Sequence, residues 1–390
     1  MNRIFLILTF ILISFAVYGF YVSQFEFNII SNKKTSSEFK IFYDYKLALN
    51  IYTNLSSGSG NSISIAEEAK HAKLNFILLS DTNTNYDLDI DRYLDNVGIL
   101  NGIRIKNNDR AFIYYSSVKK NFYNTSLNNI ESDPSAVVIE THPLGQPYNL
   151  DILKEKNLDG FEVLNFKNIT QKSWKESKIS TIWSLIYYPF NPRLALLRLF
   201  HEPIEELKIF DEISQTKKIN FYVGSEATAK AIPFTGWLIK FPSYESSFVI
   251  GSQHLTLMSE LTGNIENDSQ HIVQALKNGK SYVAFDALGD PNGFETYLID
   301  GKKQYLTGDS VKFKNNLKVY YKLPAEPIPF YEVVLYRNGR RIDHLNTFTG
   351  QFNITQSGVY RIQVRVSPNF PLPDAIKWIT WIYTNNFYVE

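Results

Sequence analysis

The sequence predicts an α/β unit, either a parallel sheet or a barrel, preceded by a membrane-spanning helix and followed by a small all-β sandwich. An uncharged apolar run opens the chain, strands and helices alternate over its middle, and strands with period-two alternation and Asn-Gly, Asp-Gly and Ser-Gly turns close it. A chain of 390 residues is too long to fold around one small hydrophobic core. We expect an anchor at 1–22, a linker at 23–38, the α/β unit at 39–290 and the β unit at 291–390.

Composition excludes several classes of function. A formal net charge of +1 offers no electrostatic reason to expect nucleic acid as a partner. The chain has no cysteine, which excludes disulfides, thiolate zinc sites and a cysteine nucleophile. Aromatic residues make up 15% of the chain, and this content favours strand-rich, well-packed regions.

The first element is the apolar run from Ile4 to Val22, which carries no charge and matches the ~20 residues that a helix needs to cross a bilayer. A cleaved signal peptide has a shorter apolar core and a small-x-small cleavage site, whereas this run ends in Tyr18, Phe20, Tyr21 and Val22. We therefore favour an uncleaved anchor. The bulk of the chain would then be extracytoplasmic, on the periplasmic or cell-surface side.

Four apolar runs in the middle of the chain predict buried strands, and most of them end in a polar residue. These runs are Leu74 to Asp81, Ser135 to Pro143, Leu158 to Phe166 and Ile219 to Glu226. Helical spacing of apolar residues predicts a helix over Ile63 to Leu74, and a helix, a break and a second helix over Arg193 to Ile213. This alternation indicates parallel strands, in which functional groups lie at the carboxyl ends.

Candidate functional residues fall at those ends. Asp81, His142 and Glu226 follow strands, and Glu162 lies within or near the end of one. Carboxylates and neutral imidazole are ligands of divalent cations, so these residues predict a metal or acid/base site. His142 could equally be a structural residue that fixes the turn before Pro143. The other histidines lie in stretches that read as helix or surface: His71, His201, His254, His271 and His344.

The C-terminal region is predicted to be all-β. After about Asp290, period-two strands alternate with turn residues, and Tyr336 to Arg341 (YRNGRR) is a hairpin signal. The simplest architecture for this region is a small immunoglobulin-like sandwich.

The order of the segments resembles the PHP superfamily, the polymerase and histidinol phosphatase type of metal-dependent phosphoesterase. It resembles in particular the membrane-anchored branch related to carbaryl hydrolase. LNIYTNLSSGSG (Leu49 to Gly60) is similar to the family's His-x-His-Thr and Ser-Asp-Gly turn, and ISIAEEAKHAKLNFILLSDTNTN (Ile63 to Asn85) to its helix and Thr-Asp-His-Asn strand end. GIRI, VVIETHPLG, GFEVLNF and VGSEAT follow in the expected order. The resemblance spans nearly the whole chain after the anchor and implies a distorted (β/α)7 barrel.

The resemblance also implies that the metal site is degenerate. The family's paired histidines fall on Asn50 and Tyr52, its Asp-His pair on Asp81 and Thr82, its bridging glutamate on Arg104, and its Asp-x-His on Glu226 and Thr228. A tyrosine hydroxyl titrates near ~10 and is a poor ligand near neutral pH, and threonine offers only a neutral hydroxyl. Arg104 would bring a fixed positive charge into a cation site, where it could pair with Asp81 or Glu226 instead.

Two functions follow from this pattern, and a third is weaker. The first is a membrane-anchored pseudoenzyme without a cofactor, acting as a binding or structural protein with a protein or envelope component as partner. The alternative is an active phosphoesterase or hydrolase with one divalent cation (Mn, Zn or Fe) on Asp81, His142 and Glu226. In the third, the β unit binds a protein or envelope polymer through its strands and the barrel is a spacer.

Overall fold

The computed structural model describes residues 2–27, 29–30, 42–82, 91–107, 110–118, 135–142, 148–154, 158–230, 232–234, 237–372, 374 and 376–390. The helices within these residues are α1 (Asn2–Ser23), α2 (Ser62–His71), α3 (Leu150–Leu153), α4 (Phe166–Glu176), α5 (Lys178–Tyr187), α6 (Pro192–Arg198), α7 (Ile204–Ser214), α8 (Tyr244–Ile250) and α9 (Ile265–Lys277).

The strands up to the end of the α/β part are β1 (Tyr43–Ile51), β2 (Phe76–Thr82), β3 (Arg92–Leu94), β4 (Val97–Asn107), β5 (Arg110–Ser116), β6 (Ala136–Glu140), β7 (Gly160–Asn165), β8 (Asn220–Ala227), β9 (Ile232–Phe234), β10 (Trp237–Ile239), β11 (Ser252–Leu257) and β12 (Ser281–Ala284). The remaining strands are β13 (Glu295–Asp300), β14 (Lys303–Tyr305), β15 (Ser310–Val311), β16 (Lys318–Lys322), β17 (Phe330–Arg337), β18 (Arg340–Leu345), β19 (Thr349–Asn353), β20 (Gly358–Ser367), β21 (Ile379–Thr384) and β22 (Phe387–Val389).

Seven of these strands close into a barrel. The order is β1, β2, β4, β5, β6, β7 and β8, and β8 returns to pair with β1. The pairs are parallel except at β5, which runs antiparallel to β4 and to β6. The mixed α/β class is confirmed, and of the two predicted arrangements the chain adopts the barrel. The four apolar runs form β2, β6, β7 and β8, whose continuous apolar sequence is typical of strands buried on both faces.

The helices that follow the strands cover the barrel. In α2, the Asn61 side chain caps the helix by accepting a hydrogen bond from Ser64 N at 2.8 Å. Ile65, Ala66 and Ala69 form the buried face of α2 and pack into one core with residues of β2 and β4. The helix predicted at this place is confirmed, as is the pair of helices α6 and α7.

The sheet continues beyond the barrel into the C-terminal region. Strand β11 pairs antiparallel with β1, β12 with β11, and β21 with β12, so the last third of the chain is joined to the barrel by backbone hydrogen bonds. A second sheet, with the order β14, β13, β16 and β19, shares a hydrophobic core with β17, β20 and β21. The C-terminal region is therefore strand-rich, as expected, while its immunoglobulin-like class and its boundary at 290 remain predictions.

The hairpin at Tyr336 to Arg341 is confirmed. Strands β17 and β18 pair antiparallel across it, and the turn residues Asn338 and Gly339 have φ of 49° and 77°. Both central residues of a type I′ turn need positive φ, a requirement that the Asn-Gly sequence satisfies.

The N-terminal run forms α1. Its segment Arg3–Ser23 has 21 residues and a mean hydropathy of 2.3, and only 6% of its apolar 18-residue window is buried, so α1 is long and apolar enough to cross a membrane. A signal sequence near the N-terminus has the same features. After α1 the chain packs onto the C-terminal region, because Ile29 is buried and its carbonyl accepts a hydrogen bond from Ile328 N at 2.8 Å. Most of the predicted linker lies outside the described residues.

Candidate functional site at the barrel mouth

Glu162 lies at the centre of the polar groups at the carboxyl ends of the barrel strands. It is fully buried in β7. Its Oε1 accepts a hydrogen bond from Asn50 Nδ2 at 2.8 Å, and its Oε2 accepts from His142 N at 3.0 Å and Asn165 Nδ2 at 2.8 Å. Burial and the negative charge of Glu226 raise the pKa of Glu162, and the hydrogen bonds offset this only in part.

Two backbone features of the neighbouring strands make room for this carboxylate. A Cβ atom at Gly224 of β8 would lie 2.0 Å from Glu162 Oε1, so any side chain here would have to displace the hydrogen-bonded carboxylate. Asn50, near the end of β1, has a φ of 62°, a conformation that asparagine tolerates better than most residues. Its Oδ1 accepts a hydrogen bond from Ser80 Oγ at 3.2 Å, so the Asn50 amide joins β1, β2 and β7.

Asp81 holds the turn that follows β1. Its Oδ1 accepts a hydrogen bond from Thr53 N at 2.8 Å, and its Oδ2 accepts from Thr53 Oγ1 at 2.7 Å. Ser56 Oγ also donates to Asp81 Oδ1. Protein donors therefore engage both oxygens of the carboxylate that the resemblance assigns to a metal.

Arg104 lies beside Glu226, one of the two partners expected for it. Arg104 Nη1 is 3.8 Å from Glu226 Oε1, and Lys167 Nζ is 3.3 Å from the same oxygen. The guanidinium carbon lies 5.5 Å from the ring centroid of Tyr52, and Nη2 donates to Thr141 Oγ1 at 3.2 Å. Two cations thus surround one buried carboxylate at distances longer than those of a close ion pair.

Three buried polar atoms at the mouth lack a hydrogen-bond partner among the described residues: the Tyr52 hydroxyl, Ser59 Oγ and Arg104 Nε. Of the two threonines at ligand positions, Thr82 ends β2 and pairs in register with Arg104. The carbonyl of Thr228 accepts a hydrogen bond from Ser59 N at 3.0 Å.

The side chain of His142 contacts helix α7. Its Nε2 is 3.0 Å from Glu206 Oε1 in α7, and its ring centroid is 4.9 Å from that of Tyr148. Burial raises the pKa of Glu206, but the hydrogen bond and charge of His142, a backbone hydrogen bond and Lys172 together outweigh this and leave the pKa below its usual value. The side-chain contacts of His142 therefore connect the end of β6 to α7.

The residues at the positions that the resemblance assigns to metal ligands contact other protein groups. In the part of the chain that the structure describes, no three His, Cys, Asp or Glu side chains are grouped as a metal site. Asp81 bonds to the turn, His142 to Glu206, and Glu226 lies between two cations. A single cation on these three residues stays a prediction.

A cavity of about 320 Å³ opens beside Glu226, between β8 and the helices α4, α6 and α8. Its polar lining consists mainly of Lys167, Ser225, Glu226, Thr228 and Lys230. Its apolar wall includes Phe166, Ile169, Leu196, Leu199, Phe200 and Ile250. On the other side of α4, a cavity of about 400 Å³ is lined by His142, Tyr148 and Glu206 among others. The mouth therefore combines buried hydrogen-bonded carboxylates with an apolar recess that has a charged edge.

Sequence reasoning missed several of these residues. Asn165 was detectable, because asparagine is a preferred N-cap residue and Asn165 stands directly before α4. Its side chain caps α4 by accepting a hydrogen bond from Asn168 N. Lys167 and Glu206 had no detectable signal, since each lies on an ordinary polar helix. The prediction that His254 lies in a helix or at the surface is wrong, because His254 is fully buried in β11.

Comparison with known proteins yields little. No protein-family model matches the chain, and no curated protein matches it. Among solved structures, the chain is similar to a two-domain protein from Bacteroides vulgatus ATCC 8482 that contains a predicted PHP-like metal-dependent phosphoesterase. The similarity covers 92% of this chain and 98% of that chain, with 10% sequence identity and a TM-score of 0.37. A similarity at this level carries no argument about family or activity.

Proposed function

We propose that the chain is a membrane-anchored PHP-like protein whose barrel mouth binds a ligand and has lost metal-dependent hydrolysis. One observation carries this proposal: the residues at the family's ligand positions are bonded to other protein groups. Asn50 donates to Glu162, Asp81 accepts from Thr53 and Ser56, and Arg104 lies beside Glu226.

A cation at this site would have to displace these contacts. Each hydrogen bond to a charged group contributes on the order of 1.5–3 kcal/mol, and Asp81 alone accepts several. The guanidinium of Arg104 would in addition repel the ion. The imidazoles that would compensate by coordination are replaced by Asn50 and Tyr52. The free-energy balance therefore favours the protein contacts over a bound metal.

The cavity beside Glu226 is the part of the mouth best suited to hold a ligand. At about 320 Å³ it is at the lower end of the range for small-molecule sites. Its apolar wall would bury a hydrocarbon or aromatic body, and Lys167 and Lys230 would contact an anionic or hydrogen-bonding end. A protein or envelope component that presents such a group fits the extracytoplasmic location that we propose for the barrel.

Metal content tests the proposal directly. The full chain, purified in detergent without chelators and then exposed to excess manganese or zinc, is expected to retain no stoichiometric metal. About one tightly bound ion per chain, lost in His142→Ala but retained in the exposed-site control His344→Ala, would contradict the proposal. Hydrolysis of model phosphoesters by the unmodified chain would also contradict the proposal if His142→Ala abolishes that activity.

Restoring the family's residues provides the complementary test. The double variant Asn50→His, Tyr52→His returns two imidazoles to the end of β1 and removes the donor that Asn50 offers to Glu162. We expect this variant to bind zinc more tightly than the unmodified chain, measured by equilibrium dialysis. An unmodified chain that already binds zinc as tightly would oppose the proposal.

A further inference from the structure

The last turns of α1 pack against α5 and the chain that follows it. Phe15, Tyr18, Gly19 and Val22 lie on one face of α1, at helical spacing. The ring centroids of Phe15 and Tyr187 are 5.4 Å apart, and those of Tyr18 and Trp183 are 5.4 Å apart. A Cβ atom at Gly19 would lie 2.7 Å from the Phe190 ring, so the absence of a side chain permits a close approach.

The contact with α1 determines how deep α5 lies relative to the membrane surface. The 21 residues of Arg3–Ser23 span roughly 31 Å, close to the ~30 Å hydrocarbon core of a bilayer. Because the apolar segment is about as long as the hydrocarbon core is thick, its last turns must lie inside the membrane when α1 crosses it. Phe15 precedes Ser23 by about 12 Å of helix rise. The part of α5 that touches Phe15 must then lie at or below the membrane surface.

The amphipathic pattern of α5 is the reverse of that of an ordinary surface helix. Its buried residues are Thr181, Ser184 and Tyr187, so small hydroxyl side chains face the protein. Its outward residues are large and apolar: Ile179 is 85% exposed, Ile182 47%, Leu185 39% and Ile186 43%. In water, an exposed apolar stripe of this kind is unfavourable and marks an interaction site.

A second apolar segment flanks α1 at the same level. Leu372 is 76% and Ile376 77% exposed, and two hydrogen bonds hold neighbouring described groups in place. The hydroxyl of Tyr18 donates to the Leu372 carbonyl at 2.6 Å, and Arg198 Nε donates to Asp374 Oδ2 at 2.6 Å. This segment therefore presents apolar side chains beside the point where α1 leaves the protein.

We propose that these residues form a membrane-docking surface, defined by Ile179, Ile182, Leu185, Ile186, Leu372 and Ile376, and that the lipid bilayer covers it. The inference rests on the proposed membrane anchor and extends it from one helix to a platform. Continuity with α1 selects lipid as the occupant, because the surface begins where the membrane-spanning helix emerges.

The residues at the edge of the surface fit an interfacial position. Trp183, which contacts α1 and is partly exposed, is of the type enriched at the membrane–water interface. Lys178 begins α5 and can extend its ammonium group to lipid headgroups while its stem lies along apolar neighbours. The surface would hold the barrel close to the bilayer and fix its orientation, which a single helix and a flexible connection would not do.

Spin labels on single cysteines test the docking surface, since the chain has no native cysteine. The full chain is reconstituted in nanodiscs of equal parts phosphatidylcholine and phosphatidylglycerol. Labels are placed at Ile182→Cys on the surface, at Leu12→Cys in the middle of α1, and at Ile342→Cys as the matched control. Ile342 is 43% exposed, similar to Ile182, but lies on the β18 hairpin. The collision rate of each label with oxygen, which concentrates in the bilayer, is compared with its collision rate with a water-soluble nickel reagent. A high ratio of oxygen to nickel collisions shows that the label is immersed in lipid.

The expected result is immersion of the labels at 12 and 182 and an aqueous label at 342, with the ratio of oxygen to nickel collisions severalfold higher at 182 than at 342. An immersed label at 12 with an aqueous label at 182 would overturn the docking surface and leave the anchor intact. An aqueous label at 12 would overturn both. Dipolar coupling between labels at 182 in two copies would assign the surface to a second chain and overturn the lipid assignment. None of these outcomes depends on metal or ligand binding at the barrel mouth.

Discussion

Two clusters of buried charged residues lie in different parts of the barrel region and are stabilised in different ways. The mouth cluster consists of Asp81, Arg104, Glu162 and Glu226, and neutral donors hold most of its carboxylate oxygens. The junction cluster consists of Asp44, Lys46, His254 and Asp286, where β1, β11 and β12 continue the sheet toward the C-terminal region. The resemblance points to the mouth, yet of the two clusters the junction has the closer ion pairs.

Charges in the junction cluster are matched at short range. His254 Nδ1 is 2.9 Å from Asp44 Oδ1, and Lys46 Nζ is 2.6 Å from Asp286 Oδ1. Burial by itself lowers the pKa of His254, but Asp44 and Asp286 outweigh it and raise the pKa to about 9. Burial likewise raises the pKa of Asp286, yet His254 and Lys46 hold it well below its usual range.

Charges in the mouth cluster are matched less closely. Arg104 is 3.8 Å from Glu226, and the pKa of Glu162 is raised by burial and by Glu226. Polar residues at the strand ends of the mouth form hydrogen-bonding links between strands. The ion pairs of the junction cluster join residues that are far apart in sequence and belong to no recognised motif.

Removal of His254 is expected to have the largest effect on stability. His254→Ala leaves Asp44 and the partly compensated Asp286 buried without the imidazolium between them. Loss of one partner of a buried ion pair costs about 3–5 kcal/mol. Urea unfolding of the detergent-solubilised chain, followed by tryptophan fluorescence, measures this loss.

The control for that experiment is His344→Ala, which removes the same side chain from an exposed position of β18. A surface change of this kind should alter the free energy of unfolding by less than about 0.5 kcal/mol. Equal effects of the two variants would show that the junction cluster contributes no special stability.

The pH dependence of stability is expected to separate the clusters further. The folded-state pKa of His254 is about 9, above the unfolded value of 6.5, so its contribution is complete below about pH 6.5 and is lost as pH rises through 9. The loss is on the order of 3 kcal/mol. The raised pKa of Glu162 contributes with the same sign.

Unfolding free energies between pH 6 and pH 9.5 measure this dependence. The difference between the unmodified chain and His254→Ala should shrink across the interval, because the unmodified chain loses the ion pair that the variant already lacks. A difference that is constant with pH would mean that His254 does not change its charge there.

A smaller effect is expected at the mouth from the loss of one hydrogen bond. Thr53→Val removes the hydroxyl that donates to Asp81 Oδ2 and accepts from Leu55 N at 3.1 Å. Leaving buried polar groups unpaired costs about 1–3 kcal/mol. The matched variant Thr82→Val has the same change of atoms, but the Thr82 hydroxyl has no hydrogen-bond partner among the described residues. Denaturation midpoints should fall for Thr53→Val and stay within error for Thr82→Val.

The smallest effect is expected from Arg104→Lys. The substitution keeps the positive charge near Glu226, and it removes Nε, which has no partner among the described residues. Because the charge is kept and the pair is 3.8 Å apart, the expected cost is that of the lost hydrogen bond from Nη2 to Thr141, about 1 kcal/mol. In contrast, Arg361 binds Asp211 through two hydrogen bonds of 2.7 Å, which lysine cannot reproduce, so Arg361→Lys should cost more. Thermal unfolding of the two variants tests the order.

The sequence predicted most elements of the barrel but few of their side-chain partners. Strands β2, β6, β7 and β8 were recognisable because a strand buried on both faces has a continuous apolar sequence. Asp81 and Glu226 were correctly placed at strand ends for the same reason. Their partners were not predictable in general: Ser56 and Lys167 have no pattern of their own, and the pairing of Arg104 with Glu226 was one of two possibilities.

Features that depend only on neighbouring residues can be derived from the sequence. The Asn338-Gly339 turn needs only its own two residues to adopt positive φ, and α1 needs only an apolar run of sufficient length. Tertiary structure alone decided the closure of the barrel through β8 and β1, the burial of His254, and the outward apolar face of α5. These features depend on contacts between distant segments, and their free energies arise only when the chain has folded.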